Sequence, residues 1–288
     1  MLLKAMAKVN LGLDVIRKRE DGYHDLRMIM QSIYLYDQLK IEKSEKPGIS
    51  LSTNRSFLPV DQNNLIVKSA RLLMDEFHIE EGVDIRLEKN IPVAAGMAGG
   101  STDAAATLVG LNQLFHLKLS EQELMERGVK IGADVPYCIM RGTALAEGIG
   151  EKLTRLPSMP PCYILIAKPG ISVSTKYVYT NLHLEQLQHH PDIDGIIGAI
   201  EEKSLKGITE RLENVLESVT ISAYPVIQEI KNQMVSCGAL GALMSGSGPT
   251  VFGIFEDKER AGYAAEQIRK ARLAKNVFVT RPFQVSAR

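Results

Sequence analysis

The residues from Asn90 to Phe115, NIPVAAGMAGGSTDAAATLVGLNQLF, constrain this chain more than any other stretch. A strand-like apolar run ends at Pro92. Gly96, Gly99 and Gly100 then permit backbone shapes and close approaches that side chains forbid. Ser101 or Thr102 is placed to cap a helix from about Asp103 to Phe115, with Asp103 in its first turn. Ala104, Ala105 and Ala106 begin that helix, and Leu108, Leu111 and Leu114 lie on roughly one side. A small-residue loop running into a helix directs several unpaired N–H groups at one point. That is an anion site, and its natural occupant is a phosphate. The stretch has no Gly-Lys-Ser or Gly-Lys-Thr, and GMAGGS has the wrong spacing for G-x-G-x-x-G, so it is neither a Walker A loop nor a dinucleotide fingerprint. The alternative is a tight loop before a capped helix that binds nothing.

A chain of 288 residues suggests two domains or one large α/β unit. The proline-rich LPSMPP at 156–161 places a boundary there, giving 1–158 and 159–288. Lys+Arg and Asp+Glu both number 34, which argues against a mainly electrostatic binder of nucleic acid or membranes. Cys138, Cys162 and Cys237 are widely spaced and odd in number, so neither a disulfide framework nor a thiolate metal site is expected. Without a long apolar run, a soluble cytoplasmic protein is the expectation.

Leu3 to Ile16 reads as a first strand carrying Lys8 and Asn10. If the Lys8 face is buried, its charge needs a carboxylate or phosphate partner; otherwise it is an ordinary exposed lysine. Asp21-Gly22 is a turn signal, followed at once by Tyr23 and His24. That pair can stack on and hydrogen-bond to a planar ring, or can be a packed tyrosine and a solvated histidine. Strands are expected at Met28–Leu35, around 39–41, 49–52 and 83–87, at Met140–Glu147 and at Cys162–Ala167. Helices are expected at Asn63–Phe77 and Ser120–Val129, the latter with a Ser120/Glu123 capping box. Asp134, between Gly132-Ala133 and Val135-Pro136, either accepts a proton from a substrate hydroxyl or caps a turn. Ser172, Ser174 and Thr175 read as a polar turn before Tyr177 and Tyr179. Helices follow at Ile193–Glu202, Leu205–Glu210 and Val226–Cys237. ALMSGSGPTVFGIF joins two short strands through Gly246-Ser247-Gly248-Pro249. A helix at Glu259–Lys270, with Ala261, Ala264, Ala265 and Ile268 inside, and an edge strand at Val277–Arg281 close the chain.

AKVNLGLDV at 7–15, PVAAGMAGGSTDAA at 92–105 and GSGPTVFG at 246–253 resemble the three signature motifs of the GHMP kinase superfamily. RKREDGYHDL at 17–26, IGADVPYC at 131–138 and KPGISVSTKYVY at 168–179 resemble members acting on a cytidine-diphosphate-bearing alcohol in the non-mevalonate route to isoprenoid precursors. The resemblance implies an α+β, two-domain GHMP kinase fold with the active site in the cleft between domains. It implies ATP as phosphoryl donor, with Mg2+ held mainly through the ATP phosphates, and a small-molecule partner carrying cytidine diphosphate. By position, Lys8 and Asp134 match the catalytic lysine and aspartate. Pro92, Val93, Ala94, Ala95, Gly96, Met97, Ala98, Gly99, Gly100, Ser101 and Thr102 match the ATP loop. Asn10, Tyr23, His24, Thr175, Tyr179, Gly246, Ser247 and Gly248 match the substrate side, with Tyr23 and Tyr179 on the two faces of the cytosine.

Two departures are small. Met6 stands where proline is common, and Thr102 replaces a serine while keeping the hydroxyl. Other members carry a glutamate in the first turn of the loop helix for magnesium. Here Asp103 is the nearest carboxylate, and no metal-binding residue is expected. The competing readings are a superfamily kinase for homoserine, mevalonate or a sugar, and a non-catalytic nucleotide-binding regulator on the same fold. Retention of Lys8 and Asp134 argues against the last.

Overall fold

The structure, a computed structural model, describes residues 1–187 and 189–285. Its strands are β1 (Leu2–Lys18), β2 (His24–Ser44), β3 (Ile49–Thr53), β4 (Gly82–Glu88), β5 (Thr143–Gly148), β6 (Lys152–Arg155), β7 (Tyr163–Lys168), β8 (Glu213–Asn214), β9 (Gly241–Met244), β10 (Val251–Phe255) and β11 (Asn276–Thr280). Its α-helices are α1 (Leu65–Glu76), α2 (Gly99–Leu114), α3 (Glu121–Val129), α4 (Val135–Met140), α5 (Thr175–Thr180), α6 (Ile193–Glu201), α7 (Leu205–Thr209), α8 (Glu217–Ala223), α9 (Val226–Ser236) and α10 (Lys258–Lys270).

The chain groups into two compact units, and β1 and β2 contribute to both. The first unit holds Met1–Ala7, Leu35–Val93 and Ala98–Met140. Within it β4 lies between the C-terminal half of β2, antiparallel, and β3, parallel, with Leu39 opposite Leu87 and Ile85 opposite Leu51. The apolar stripe of α1, including Ile66, Ala70 and Leu73, is buried, and α1 packs on α2. Asn64 caps α1 by accepting from the Ile66 amide, and the Ser120/Glu123 capping box starts α3.

The second unit holds Lys8–Tyr34, Ala94–Met97 and Arg141–Arg288. Here β1 pairs with β8 in parallel, Gly12 opposite Glu213, and β2 pairs antiparallel with β5, Ile29 opposite Leu145. A separate antiparallel sheet runs β11-β7-β10-β9, and all five residues of β10 are buried. Helices α9 and α10 pack on this sheet. Ala261, Ala264, Ala265 and Ile268 of α10 point inward, as their spacing predicts.

Several local expectations are revised. Helix α2 starts at Gly99 rather than near Asp103, so Ser101 and Thr102 lie inside its first turn instead of capping it. Its N-cap is Ala98, left-handed at φ 55°, with no side-chain cap. β2 is one strand of 21 residues rather than two short ones, because Asp37 is buried mid-strand instead of breaking it. Met140 ends a helix, so β5 begins only at Thr143. The polar turn before Tyr177 is shorter than expected: Ser174 caps α5, whose first residue is Thr175. Helix α8 has no counterpart in the sequence reading.

Candidate active site

The 92–102 segment is built by its backbone. Ala94, Gly96 and Ala98 have φ of 50°, 70° and 55°, while Ala95 and Met97 between them do not. This alternation of hand curls successive N–H groups into a concavity suited to anions. Two of the left-handed residues are alanines, which adopt that shape at a cost. Gly96 admits no substitute: a Cβ there would lie 2.2 Å from the Ser245 carbonyl oxygen. Among the described residues, no amide from Val93 to Ser101 donates a hydrogen bond; the Thr102 amide turns back to the Ala98 carbonyl at 2.9 Å. Pro92 and Ala98 are half-buried, Ala95, Met97 and Thr102 are buried, and Val93, Ala94 and Gly100 are exposed.

Lys8 sits in the buried run Ala5–Val15 of β1 and is 5% exposed. Its amide donates to the Met97 carbonyl at 3.3 Å, tying the strand to the loop. Its ammonium donates to Asn10 Oδ1 at 2.7 Å, and among the described residues it has no carboxylate partner. Asn10 is fully buried, and its amide nitrogen meets the Met28 sulfur at 3.3 Å. Gly246, at φ 56°, brings a third segment here: a Cβ at this position would start 3.5 Å from Lys8 Nζ and 3.2 Å from the Gly96 carbonyl oxygen. Ser245 Oγ donates to the Gly96 carbonyl at 2.9 Å. A buried, unneutralised ammonium beside converging glycine turns is an arrangement for an anionic ligand.

Asp134 immediately precedes α4, and its carbonyl accepts from the Cys138 amide at 3.1 Å. It is half-buried, and its carboxylate makes no hydrogen bond or ion pair among the described residues. The aromatic pair belongs to the second unit. Gly22 at φ 86° makes the expected turn, the Arg19 amide donates to the Tyr23 carbonyl at 2.8 Å, and Tyr23 remains 59% exposed. His24 and Tyr179 are in ring contact, with centroids 5.1 Å apart and planes tilted by 32°. Burial, then the nearby Lys18 charge, lowers the His24 pKa from its ordinary value and favours the neutral imidazole, one donor and one acceptor. Thr175 Oγ1 and Ser247 Oγ share a hydrogen bond of 2.9 Å. Gly248 is followed by Pro249 through a cis peptide bond.

Sequence reasoning missed two supporting sets. Asn214, buried in β8, donates to the Met244 and Gly246 carbonyls at 2.9 and 2.8 Å and accepts from the Leu216 amide at 3.0 Å, fixing the Gly246 turn. Nothing local in the sequence marks it. The second set is Lys89 with Asp37 and Asp103, whose ion pairs are both 2.6 Å. Burial pushes the Asp103 carboxyl well above the ordinary carboxylate range. Lys89 opposes that shift and Asp37 adds to it. Asp103 Oδ2 is held by Lys89 at 2.6 Å and its side chain is buried, an arrangement that favours an ion pair over magnesium.

Comparison with known proteins decides the family. Residues 64–142 match the model of the GHMP kinases N terminal domain, and residues 193–274 match that of the GHMP kinases C terminal domain. The 4-diphosphocytidyl-2-C-methyl-D-erythritol kinase of Lachnospira eligens is 55% identical over 281 residues, 98% of each chain. The chain belongs to the GHMP kinases, in the 4-diphosphocytidyl-2-C-methyl-D-erythritol kinase family. This kinase is thus an ATP-dependent small-molecule phosphotransferase with an α+β fold. A crystal structure of a 4-(cytidine 5'-diphospho)-2C-methyl-D-erythritol kinase matches the kinase with a TM-score of 0.84 and 32% identity, over 99% of this chain and 100% of that one. A homoserine kinase from Cytophaga hutchinsonii, 19% identical with a TM-score of 0.76 over 97% and 95% of the two chains, shares the fold alone.

Proposed function

We propose that this kinase transfers the γ-phosphoryl group of ATP to the 2-hydroxyl of 4-diphosphocytidyl-2-C-methyl-D-erythritol, in the non-mevalonate route to isoprenoid precursors. The observation that carries the chemistry is Lys8. Among the described residues its buried ammonium has only Asn10 as a side-chain partner, while its backbone is bonded to the glycine loop. A charge left so is completed by phosphate oxygens. The loop amides of 93–101 hold the ATP phosphates, and Lys8 offsets charge on the group in transfer. Asp134, whose carboxylate is uncommitted, takes the proton of the attacking hydroxyl as its oxygen bonds to the γ-phosphorus and ADP departs. Mg2+ is held through the phosphates rather than by Asp103. Residues 1–158 supply the ATP loop, and 159–288 supply the Gly246 turn and Tyr179.

On the substrate side, the cytosine ring lies against Tyr23 and Tyr179, with neutral His24 reading its polar edge. Thr175, Ser247 and Gly248 line the diphosphate side. Steady-state kinetics with the cytidyl alcohol, its uridyl analogue, homoserine and mevalonate test this reading. The cytidyl compound is expected to give the highest kcat/KM. Better turnover of homoserine or mevalonate would overturn the substrate assignment and leave only a GHMP kinase. ATP binding with no transfer to any acceptor would favour the regulator.

A further inference from the structure

The 92–98 loop leaves the chain beyond β4 and returns at the first residue of α2, and three buried side chains join its two ends. Asp37 Oδ1 accepts from the Asn90 and Ile91 amides at 2.5 and 2.8 Å, just before Pro92. Asp37 Oδ2 accepts from Lys89 Nζ at 2.6 Å. The same ammonium donates to Asp103 Oδ2 at 2.6 Å, on the opening turns of α2. Lys89 is itself held: its amide donates to Asn54 Oδ1 at 2.8 Å and its carbonyl accepts from Arg55 Nε at 3.3 Å. Gly99 leaves the path open, because a Cβ there would lie 3.0 Å from Lys89 Nζ and 3.2 Å from Ile91 Cγ2.

Lys89, Asp37 and Asp103 are 4%, 0% and 4% exposed, so they are withdrawn from solvent. An apolar trio would hold such a core at least as firmly. Directed hydrogen bonds do something packing does not: they fix the angle at which a strand end and a helix start face each other. We infer that Lys89, clamped between Asp37 and Asp103, is a positioning residue that staples the mouth of the loop, so that its amides are aimed before ATP arrives. This rests on the loop being the ATP site. Without the staple, the amides must be ordered at the moment of binding, and ATP affinity bears that cost.

The test compares four variants by KM for ATP and KM for the cytidyl alcohol. Gly100→Val probes the loop itself: a Cβ there would meet Leu65 Cδ1 at 3.5 Å, an ordinary van der Waals contact. It is expected to raise the ATP KM; an unchanged value would remove the loop from the ATP site. Lys89→Met is expected to raise the ATP KM about tenfold and leave the alcohol KM within about twofold. Asp103→Ala should do the same in a milder form, and Asp103→Asn, which keeps the acceptor, should recover most of that loss. Should Lys89→Met fail to fold, the Asp103 pair decides alone. If Gly100→Val weakens ATP but neither Lys89→Met nor Asp103→Ala does, or if both KM values rise together, the staple is refuted while the loop assignment stands. Equal defects in Asp103→Ala and Asp103→Asn would refute it as well.

Discussion

Lys8 and Lys89 are buried to nearly the same degree, 5% and 4% exposed, yet their surroundings are opposite. Lys89 has two carboxyl groups at 2.6 Å. Lys8 has one neutral amide oxygen at 2.7 Å. A buried charge matched inside the protein serves the fold; one left unmatched is an expense the fold bears for a ligand that completes it. Burial alone does not distinguish the two lysines; their partner sets do.

The largest effect is expected on the acceptor side: if Lys8 awaits a phosphoryl group, a base must ready the acceptor, and the Asp134 carboxylate makes no hydrogen bond or ion pair among the described residues. Asp134→Asn is expected to lower kcat by about 10²–10⁴ while ATP affinity changes little. Single-turnover kinetics and calorimetric titration with ATP check both halves, and turnover like wild type would remove Asp134 from the chemistry.

The next effect belongs to Lys89. Lys89→Met strands two carboxyl groups in the core, and chemical denaturation is expected to show a loss of about 3–5 kcal/mol. A loss below about 1 kcal/mol would place Lys89 with ordinary surface ion pairs, contrary to its buried clamp.

The smallest effects concern the proposed base site at Tyr23, His24 and Tyr179. Tyr179→Ala is expected to cost about 1–3 kcal/mol of stacking, read as a raised KM for the cytidyl alcohol with the ATP KM nearly constant. His24→Ala should narrow the preference for cytidyl over uridyl substrate, since stacking alone does not distinguish the two rings. An unchanged preference would assign base reading to other groups.

Much of the fold is legible in the sequence because its signals are local. Gly96, Gly99 and Gly100 lie within one segment, Asp21-Gly22 makes its turn, and the Ser120/Glu123 box and the alanine face of α10 follow from short-range spacing. What was not legible depends on partners far along the chain. The separate strands expected at Met28–Leu35 and around 39–41 are one, and the buried Asp37 between them is satisfied by Lys89, 52 residues away. Ser101 and Thr102 are good caps and so point to a later start for α2, whereas the structure uses a left-handed alanine and leaves the loop amides without partners among the described residues. Asn214 gave no signal, since its value lies in the carbonyls of Met244 and Gly246.

The most direct test of the Lys8 assignment is phosphoryl transfer to the cytidyl alcohol by Lys8→Met, in protein whose melting temperature is first compared with that of wild type. No carboxylate loses a partner in this variant, while buried Asn10 Oδ1 loses its donor, so stability is expected to fall by no more than about 1–3 kcal/mol. Turnover is expected to fall by about 10²–10³, with both KM values within about threefold of wild type. Turnover equal to wild type in the folded variant would contradict the claim that this unmatched charge is reserved for the phosphate.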